Sequence, residues 1–241
     1  MKSVNKRIIG TISIGLGLSL LASQSVAAPI VIADTYIGGN PTHSSYVGAD
    51  VIGDDALFDV SKMEVSFDSP NTMTVDIFSQ YFDNIGKFGT ELGDLFISTD
   101  GYSGDGEDWE YVLKLDDYTD MSGDLNLYEV VDGDIILSSA PSGYIYRAGQ
   151  EVQYDATGQT SLATGSWGIF NNGTTSDLDD YIRFVIAYDF GDVSEFGFHW
   201  TMTCANDVIE GGAPAPVPEP ASALLFGAGL AGLAGLYRRK R

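Results

Sequence analysis

Residues 64–77 read EVSFDSPNTMTVDI, and this stretch decides the fold class. Apolar residues occupy every second position on each side of a Ser-Pro-Asn turn: Val65 and Phe67 before it, and Met73, Val75 and Ile77 after it. A period of two points alternate side chains to one face of a strand, and Pro and Asn are common turn residues. The stretch therefore predicts a β-hairpin with one buried face.

The same period continues through the chain on both sides of this hairpin. Further strands are predicted at 94–99, 110–115, 125–131, 134–138, 144–147, 151–154, 165–170, 181–190 and 195–203. Gly, Asp, Asn and Ser separate these segments, and no interior segment shows a convincing helical period. The pattern predicts an all-β fold, an antiparallel β-sandwich of jelly-roll or lectin-like type. The candidate core residues are Phe67, Val75, Ile77, Phe96, Val112, Leu115, Trp167, Phe184, Ile186, Phe196 and Phe198.

The charge of the chain is strongly negative, with a formal net charge of -22. Seven of the twelve basic residues lie in the two ends, so the region between them carries about -29. Such a region repels nucleic acid, whose phosphates need Lys and Arg, and favours solubility and association with cations. Cys204 is the single cysteine, which excludes an intramolecular disulfide.

The N-terminus has the pattern of a secretory signal peptide over residues 1–27. Lys2, Lys6 and Arg7 precede an apolar segment at 8–22, and small residues at 25–27 mark a cleavage site. The exported chain is expected to begin near Ala28. We assign residues 28–210 to one β-sandwich domain and the Gly-, Ala- and Pro-rich residues 211–217 to an extended spacer.

The C-terminus has three parts in fixed order. These are a Pro-Glu-Pro triplet, an apolar segment at 221–237 and a basic end, formed by Pro218, Glu219, Pro220, Arg238, Arg239, Lys240 and Arg241. An apolar segment of about seventeen residues is at the lower limit for crossing a bilayer. The pattern predicts a transmembrane helix over 221–237, with the basic end on the cytoplasmic side.

Together with the signal peptide, these three parts resemble the PEP-CTERM sorting signal of Gram-negative bacteria. The resemblance implies recognition of the triplet by exosortase, and removal or exchange of the apolar tail. It also implies an inner-membrane intermediate, then a place on the cell surface or in the extracellular matrix, with exopolysaccharide or biofilm. Residues 198–211, FHWTMTCANDVIEG, are similar to an ending found in some PEP-CTERM proteins, with Ala205 in place of the usual glycine.

The densest acidic loop is a candidate calcium site. Asp100, Asp105 and Asp108 lie in a glycine-rich segment, and calcium prefers carboxylate and carbonyl oxygens on such loops. The spacing does not match an EF-hand, and the alternative is a solvated acidic turn. Tyr102 and Trp109 flank the loop and are candidates for stacking on sugar rings, or else core aromatics.

Three functions remain open from the sequence. The first is a non-catalytic surface or matrix protein, and the second is a lectin-like carbohydrate-binding module, with or without calcium. The third is a polysaccharide hydrolase, which needs two carboxylates at a suitable separation. Glu107 and Glu110 are three residues apart and would face opposite sides of a strand, so we favour a protein without catalytic residues.

Overall fold

The structure is a computed structural model that describes residues 28–69, 71–104, 108–131, 133–140, 142–171, 179–216 and 221–239. The predicted signal peptide at 1–27 lies outside the described residues. So do Asp105, the Pro-Glu-Pro triplet, and Lys240 and Arg241. The account below concerns the described part of the chain.

Fourteen strands and two α-helices make up the regular structure of these described residues. The elements are β1 (Ile30–Ala33), β2 (Asn40–Pro41), α1 (Asp55–Phe58), β3 (Val60–Ser69), β4 (Thr72–Ser79), β5 (Leu95–Ser98), β6 (Tyr111–Leu115), β7 (Ser122–Glu129), β8 (Ile135–Leu137), β9 (Arg147–Ala148), β10 (Glu151–Tyr154), β11 (Ala163–Phe170), β12 (Tyr181–Ala187), β13 (Glu195–Thr201), β14 (Val208–Pro214) and α2 (Ala221–Arg239). The prediction of an all-β antiparallel fold is confirmed.

Ten strands form one antiparallel sheet in the order β1-β3-β4-β12-β11-β7-β6-β5-β13-β14. The last strand, β14, packs beside β1 and β3 at the other end of the sheet. The sheet is therefore nearly closed into a barrel around one core. Two short pairs, β8 with β10 and β2 with β9, lie outside this sheet.

The predicted hairpin is formed by β3 and β4. Val65 lies opposite Val75 and Met63 opposite Ile77, and all four side chains are fully or almost fully buried. Each such side chain contributes about 1.5–3 kcal/mol when it leaves water. The other predicted core residues are also buried, except Phe67, which is partly buried against Phe196.

Strand β13 is buried on both faces from Phe196 to Thr201. Its inner face joins the barrel core, and β10 packs across its outer face. Strand β12, in contrast, alternates. Ile182, Phe184 and Ile186 face the core, while Arg183 and Val185 are partly exposed.

Strand β14 extends into the range assigned to the spacer. Gly211 pairs with Phe198 and Gly212 with Gly197, so residues 211–214 belong to the sheet. A Cβ atom at Gly211 would lie 2.5 Å from Cγ2 of Ile32 in β1. The glycine thus permits close packing where the barrel closes, within a range that the sequence analysis assigns to an extended spacer.

The tail forms α2, and the basic residues Arg238 and Arg239 lie in its last turn. Among the described residues, no helix combines the length and apolar character needed to cross a membrane. The predicted transmembrane helix over 221–237 is therefore not supported. Four glycines, at 227, 229, 232 and 235, lower the apolar character of this helix.

Candidate functional site

The predicted calcium loop is only partly described. Asp100 and Asp108 are exposed, and the backbone N–H of Asp100 donates to Oγ of Ser98 at 3.2 Å. Asp105 lies outside the described residues. Calcium binding by these three carboxylates therefore stays a prediction.

The two aromatic residues beside this loop differ in their surroundings. The hydroxyl of Tyr102 donates to Oε2 of Glu210 at 3.1 Å, and the Tyr102 ring is partly exposed. Trp109 is only 7% exposed and packs against His199, with ring centroids 5.6 Å apart. Trp109 thus offers little ring surface to a sugar and occupies a small core cluster outside the barrel, with Phe96, Val112 and Tyr154.

His199 is a fully buried residue whose two ring nitrogens both have partners. Nε2 lies 2.6 Å from the carbonyl oxygen of Glu151 and donates to it, and Nδ1 lies 2.7 Å from Oε1 of Glu210. Burial lowers the pKa of His199, but the hydrogen bond and the charge of Glu210 outweigh it, so the pKa is raised. These contacts tie β10 to β13 and β14, the role of a structural histidine.

The turn between β13 and β14 explains the unusual residue in the 198–211 stretch. Ala205 has a φ of 46°, in the left-handed region that glycine adopts most readily. The glycine of the similar endings would suit this position. Cys204 beside it is 2% exposed, and burial raises the pKa of its thiol to about 12. Cys204 is therefore a buried thiol.

Three carboxylates that the sequence did not bring together meet next to this turn. Asp34 follows β1, Asp50 precedes α1 and Asp207 precedes β14, and one oxygen atom from each lies within 4.8 Å of the others. Asp207 is held firmly, since Oδ2 accepts from the N–H of Val60 at 2.6 Å and Oδ1 from that of Val208 at 2.9 Å. We call Asp34, Asp50 and Asp207 the seam cluster.

The seam cluster has unusual electrostatics because two of its members are well buried. Burial raises the pKa of Asp207, and the charge of Asp34 raises it further. Burial also raises the pKa of Asp34, although the hydrogen bond from the backbone N–H of Tyr36 lowers it in part. Among the described residues, Oδ2 of Asp34 has no hydrogen-bond partner. The pair therefore retains a proton at a pH where exposed aspartates are ionised.

Arg147 supplies positive charge beside the seam cluster. Its side chain is 1% exposed, and Nη2 donates to the carbonyl oxygens of Asp50 at 2.6 Å and Ala49 at 3.3 Å. Three carboxylates could hold a divalent cation. However, the guanidinium group and the two backbone donors to Asp207 already satisfy much of the negative charge. We therefore expect Asp34 and Asp207 to share a proton rather than to bind a metal ion. The shared proton would stabilise the contact between β1 and β14, where the barrel closes.

A second notable feature is a row of side chains on the outer face of the sheet. Lys62, Phe78, Tyr181 and Phe170 lie side by side on β3, β4, β12 and β11, in directly paired positions. The rings of Phe78 and Tyr181 are 5.1 Å apart, and those of Tyr181 and Phe170 are 4.9 Å apart and nearly parallel. We call these four residues the outer row.

Two positively charged groups lie against the rings of the outer row. Nζ of Lys62 lies 4.1 Å from the centre of the Phe78 ring. The guanidinium of Arg183 lies 5.3 Å from the Phe170 ring and donates to both oxygens of Asp76, at 2.7 and 2.6 Å. Phe170 remains 48% exposed. Sequence analysis missed this row because it depends on the registers of four strands that are distant in the chain.

Comparison with known proteins gives one match. Residues 216–241 match the PEP-CTERM protein-sorting motif. No curated protein and no solved structure matches the chain.

Proposed function

We propose that this chain, whose residues 216–241 match the PEP-CTERM protein-sorting motif, is a non-catalytic protein of the bacterial surface or extracellular matrix. The motif supports an exosortase-sorted, secreted surface protein. The proposal adds a Gram-negative host, an inner-membrane intermediate during sorting, and association with exopolysaccharide in a biofilm. The observation that carries it is the motif at the C-terminus.

The physical properties of the folded domain are consistent with such a place. Most basic residues of the chain lie in its ends, so the exported domain is strongly acidic. Like charges keep such domains apart and soluble at high local concentration. Carboxylates also accept hydrogen bonds from hydroxyl groups, which a hydrated polysaccharide offers in large number.

Sorting is tested with two sets of substitutions in the tail, expressed in a bacterium that has exosortase. The combined change Pro218→Ala, Glu219→Ala and Pro220→Ala should remove the protein from the cell surface and leave a longer, unprocessed chain. The control is Gly227→Ala with Gly229→Ala, which keeps the triplet and the basic end. Surface protein is measured by protease accessibility and chain length by mass spectrometry. A triplet variant that reaches the surface at the normal level would contradict the proposal.

Association with the matrix is tested in cells with and without exopolysaccharide. We expect the protein to sediment with the polysaccharide fraction of producing cells and to remain in the supernatant of a strain that makes none. Equal amounts in the supernatants of both strains would contradict the association but leave sorting unaffected.

A second candidate function, lectin-like carbohydrate binding, is favoured by the outer row. Exposed aromatic rings offer apolar surface to the faces of sugar rings, and Arg183 and Asp76 offer polar groups beside them. Phe170 at the end of the row has the most exposed ring of the three. Carbohydrate binding at this face is supported by that arrangement of rings and charges.

Affinity electrophoresis through gels that contain different polysaccharides tests this candidate. The wild type should be retarded by at least one of them, and Phe170→Ala should weaken the retardation several-fold. Phe88→Ala is the matched control, because Phe88 is 45% exposed and lies outside the outer row. Gels with calcium and with a chelator determine whether binding needs the cation. Equal weakening of the retardation by both substitutions would argue against carbohydrate binding at the outer row.

A further inference from the structure

A pocket of about 320 Å³ lies between α1, residues 88–90, residues 143–145 and the turn before β14. Its main lining residues are Phe58, Phe88, Tyr144, Ile145, Cys204 and Asn206. The volume is at the lower end of the range of about 300–1,000 Å³ for small-molecule sites. The pocket is separate from the outer row and from the sorting motif.

The mouth of the pocket is formed by two exposed aromatic residues. Phe88 is 45% exposed and Tyr144 is 46% exposed, and their ring centroids are 5.5 Å apart. Phe88 has a φ of 60°, an unfavourable backbone conformation for an aromatic residue. Gly86 and Gly89 on either side also have positive φ values, which glycine adopts without strain. Backbone strain like that of Phe88 is concentrated at ligand sites.

The charge of the lining restricts the ligand further. Asp54 is the charged residue among the described lining residues, and the domain as a whole is strongly acidic. An anion would be repelled. The aromatic side chains favour a flat ring, and the volume excludes a polymer or a protein segment of any length.

We propose that this pocket binds a small, flat, non-anionic molecule that has an apolar ring. The ring lies against the side chains of Phe88 and Tyr144 at the mouth of the pocket. Such binding is independent of sorting and of any contact with polysaccharide.

The test uses the purified full chain and N-phenyl-1-naphthylamine, a neutral ring compound with one N–H that fluoresces in apolar surroundings. Saturable binding to one site is expected. Phe88→Ala should weaken it about tenfold, which is about 1.4 kcal/mol. Ala140→Leu, which fills the pocket, should abolish it. Leu162→Ala is the matched control and should bind as the wild type does, because Leu162 is 43% exposed and lines neither the pocket nor the outer row.

Unchanged binding in both Phe88→Ala and Ala140→Leu would overturn the proposal, and would assign the probe to another surface such as the apolar tail, which every variant retains. Absence of saturable binding to the wild type would overturn it as well.

Discussion

At Ala205, backbone strain and side-chain burial have opposite effects on stability. Its φ of 46° costs an alanine about 1–2 kcal/mol more than a glycine. Its methyl group is fully buried in a small cluster with Val152 and Val208, which returns about 0.8 kcal/mol. The two effects nearly balance, and this balance explains why the turn tolerates alanine.

We therefore expect two substitutions at this position to differ in their effect on stability. Ala205→Gly should change the free energy of unfolding by less than about 1 kcal/mol, because relief of strain offsets the lost contact. Ala205→Val should destabilise by more than about 2 kcal/mol, since a β-branched side chain fits neither this φ nor the packed cluster. Urea unfolding followed by tryptophan fluorescence measures both. A valine variant as stable as the wild type would refute the assigned conformation.

The seam cluster predicts a dependence of stability on pH. The pKa values of Asp34 and Asp207 are raised in the folded state, so the folded protein holds protons that the unfolded chain releases near its ordinary value of 3.8. Stability should then fall as pH rises from about 4 to neutrality and beyond. Asp34→Asn should flatten this fall and raise the melting temperature at pH 8, because the amide donates to Asp207 without needing a proton.

The control for this prediction is Asp207→Asn. Both oxygens of Asp207 accept from backbone N–H groups, and an amide has only one oxygen. This variant should therefore be destabilised by about 1–3 kcal/mol near pH 4, where the carboxyl pair of the wild type holds its proton. Asp94 retains its own share of the pH dependence, because burial raises its pKa to about 6. A steep fall of melting temperature that persists unchanged in Asp34→Asn would contradict the shared proton.

At the scale of elements, β14 shows that glycines in a strand can serve packing. A Cβ at Gly211 would meet Cγ2 of the buried Ile32 at 2.5 Å, whereas one at Gly212 would meet the end of the exposed Glu195 side chain at 2.3 Å. The first neighbour is confined in the core and the second can move into solvent. Neighbouring glycines therefore differ in what they tolerate.

Gly211→Ala should destabilise by about 1–3 kcal/mol, because the new methyl group overpacks the place where the barrel closes. Gly212→Ala should be nearly neutral and is the matched control. Thermal unfolding followed by circular dichroism compares the two. If both variants melt with the wild type, β14 does not pack on β1 as described.

Local pairing could be predicted from the sequence, and distant pairing could not. The β3–β4 hairpin needs only the alternation of 64–77 and its turn, and so it was found correctly. The cover over β13, the seam cluster and the outer row each combine segments far apart in the chain. The sorting motif can be recognised from the sequence because it is one continuous segment and does not depend on contacts between distant residues.

At the scale of the whole molecule, the negative charge of the domain has a measurable effect. With about -29 between the two ends, the folded state carries substantial self-repulsion. Added salt screens this repulsion over about 8 Å at 0.15 M. We expect the melting temperature to rise by several degrees between 10 and about 150 mM NaCl.

Calcium provides the comparison, at an ionic strength matched with NaCl and with magnesium. A rise that is larger with calcium, and lost in Asp100→Asn with Asp108→Asn, would support the predicted loop site. Equal rises for all three salts would indicate screening alone. A melting temperature that does not respond to NaCl would contradict the predicted self-repulsion.

The closing of the barrel has a mechanical consequence. The final strand ends at Pro214 and the sorting motif begins at residue 216, so an attachment made at the tail acts almost directly on β14. That strand is terminal in the sheet order and is hydrogen-bonded to β13. If the molecule is anchored by its tail, a pulling force acts on β14 before any other strand. The force at which β14 separates from β13 and β1 then sets the largest load that the folded domain can bear.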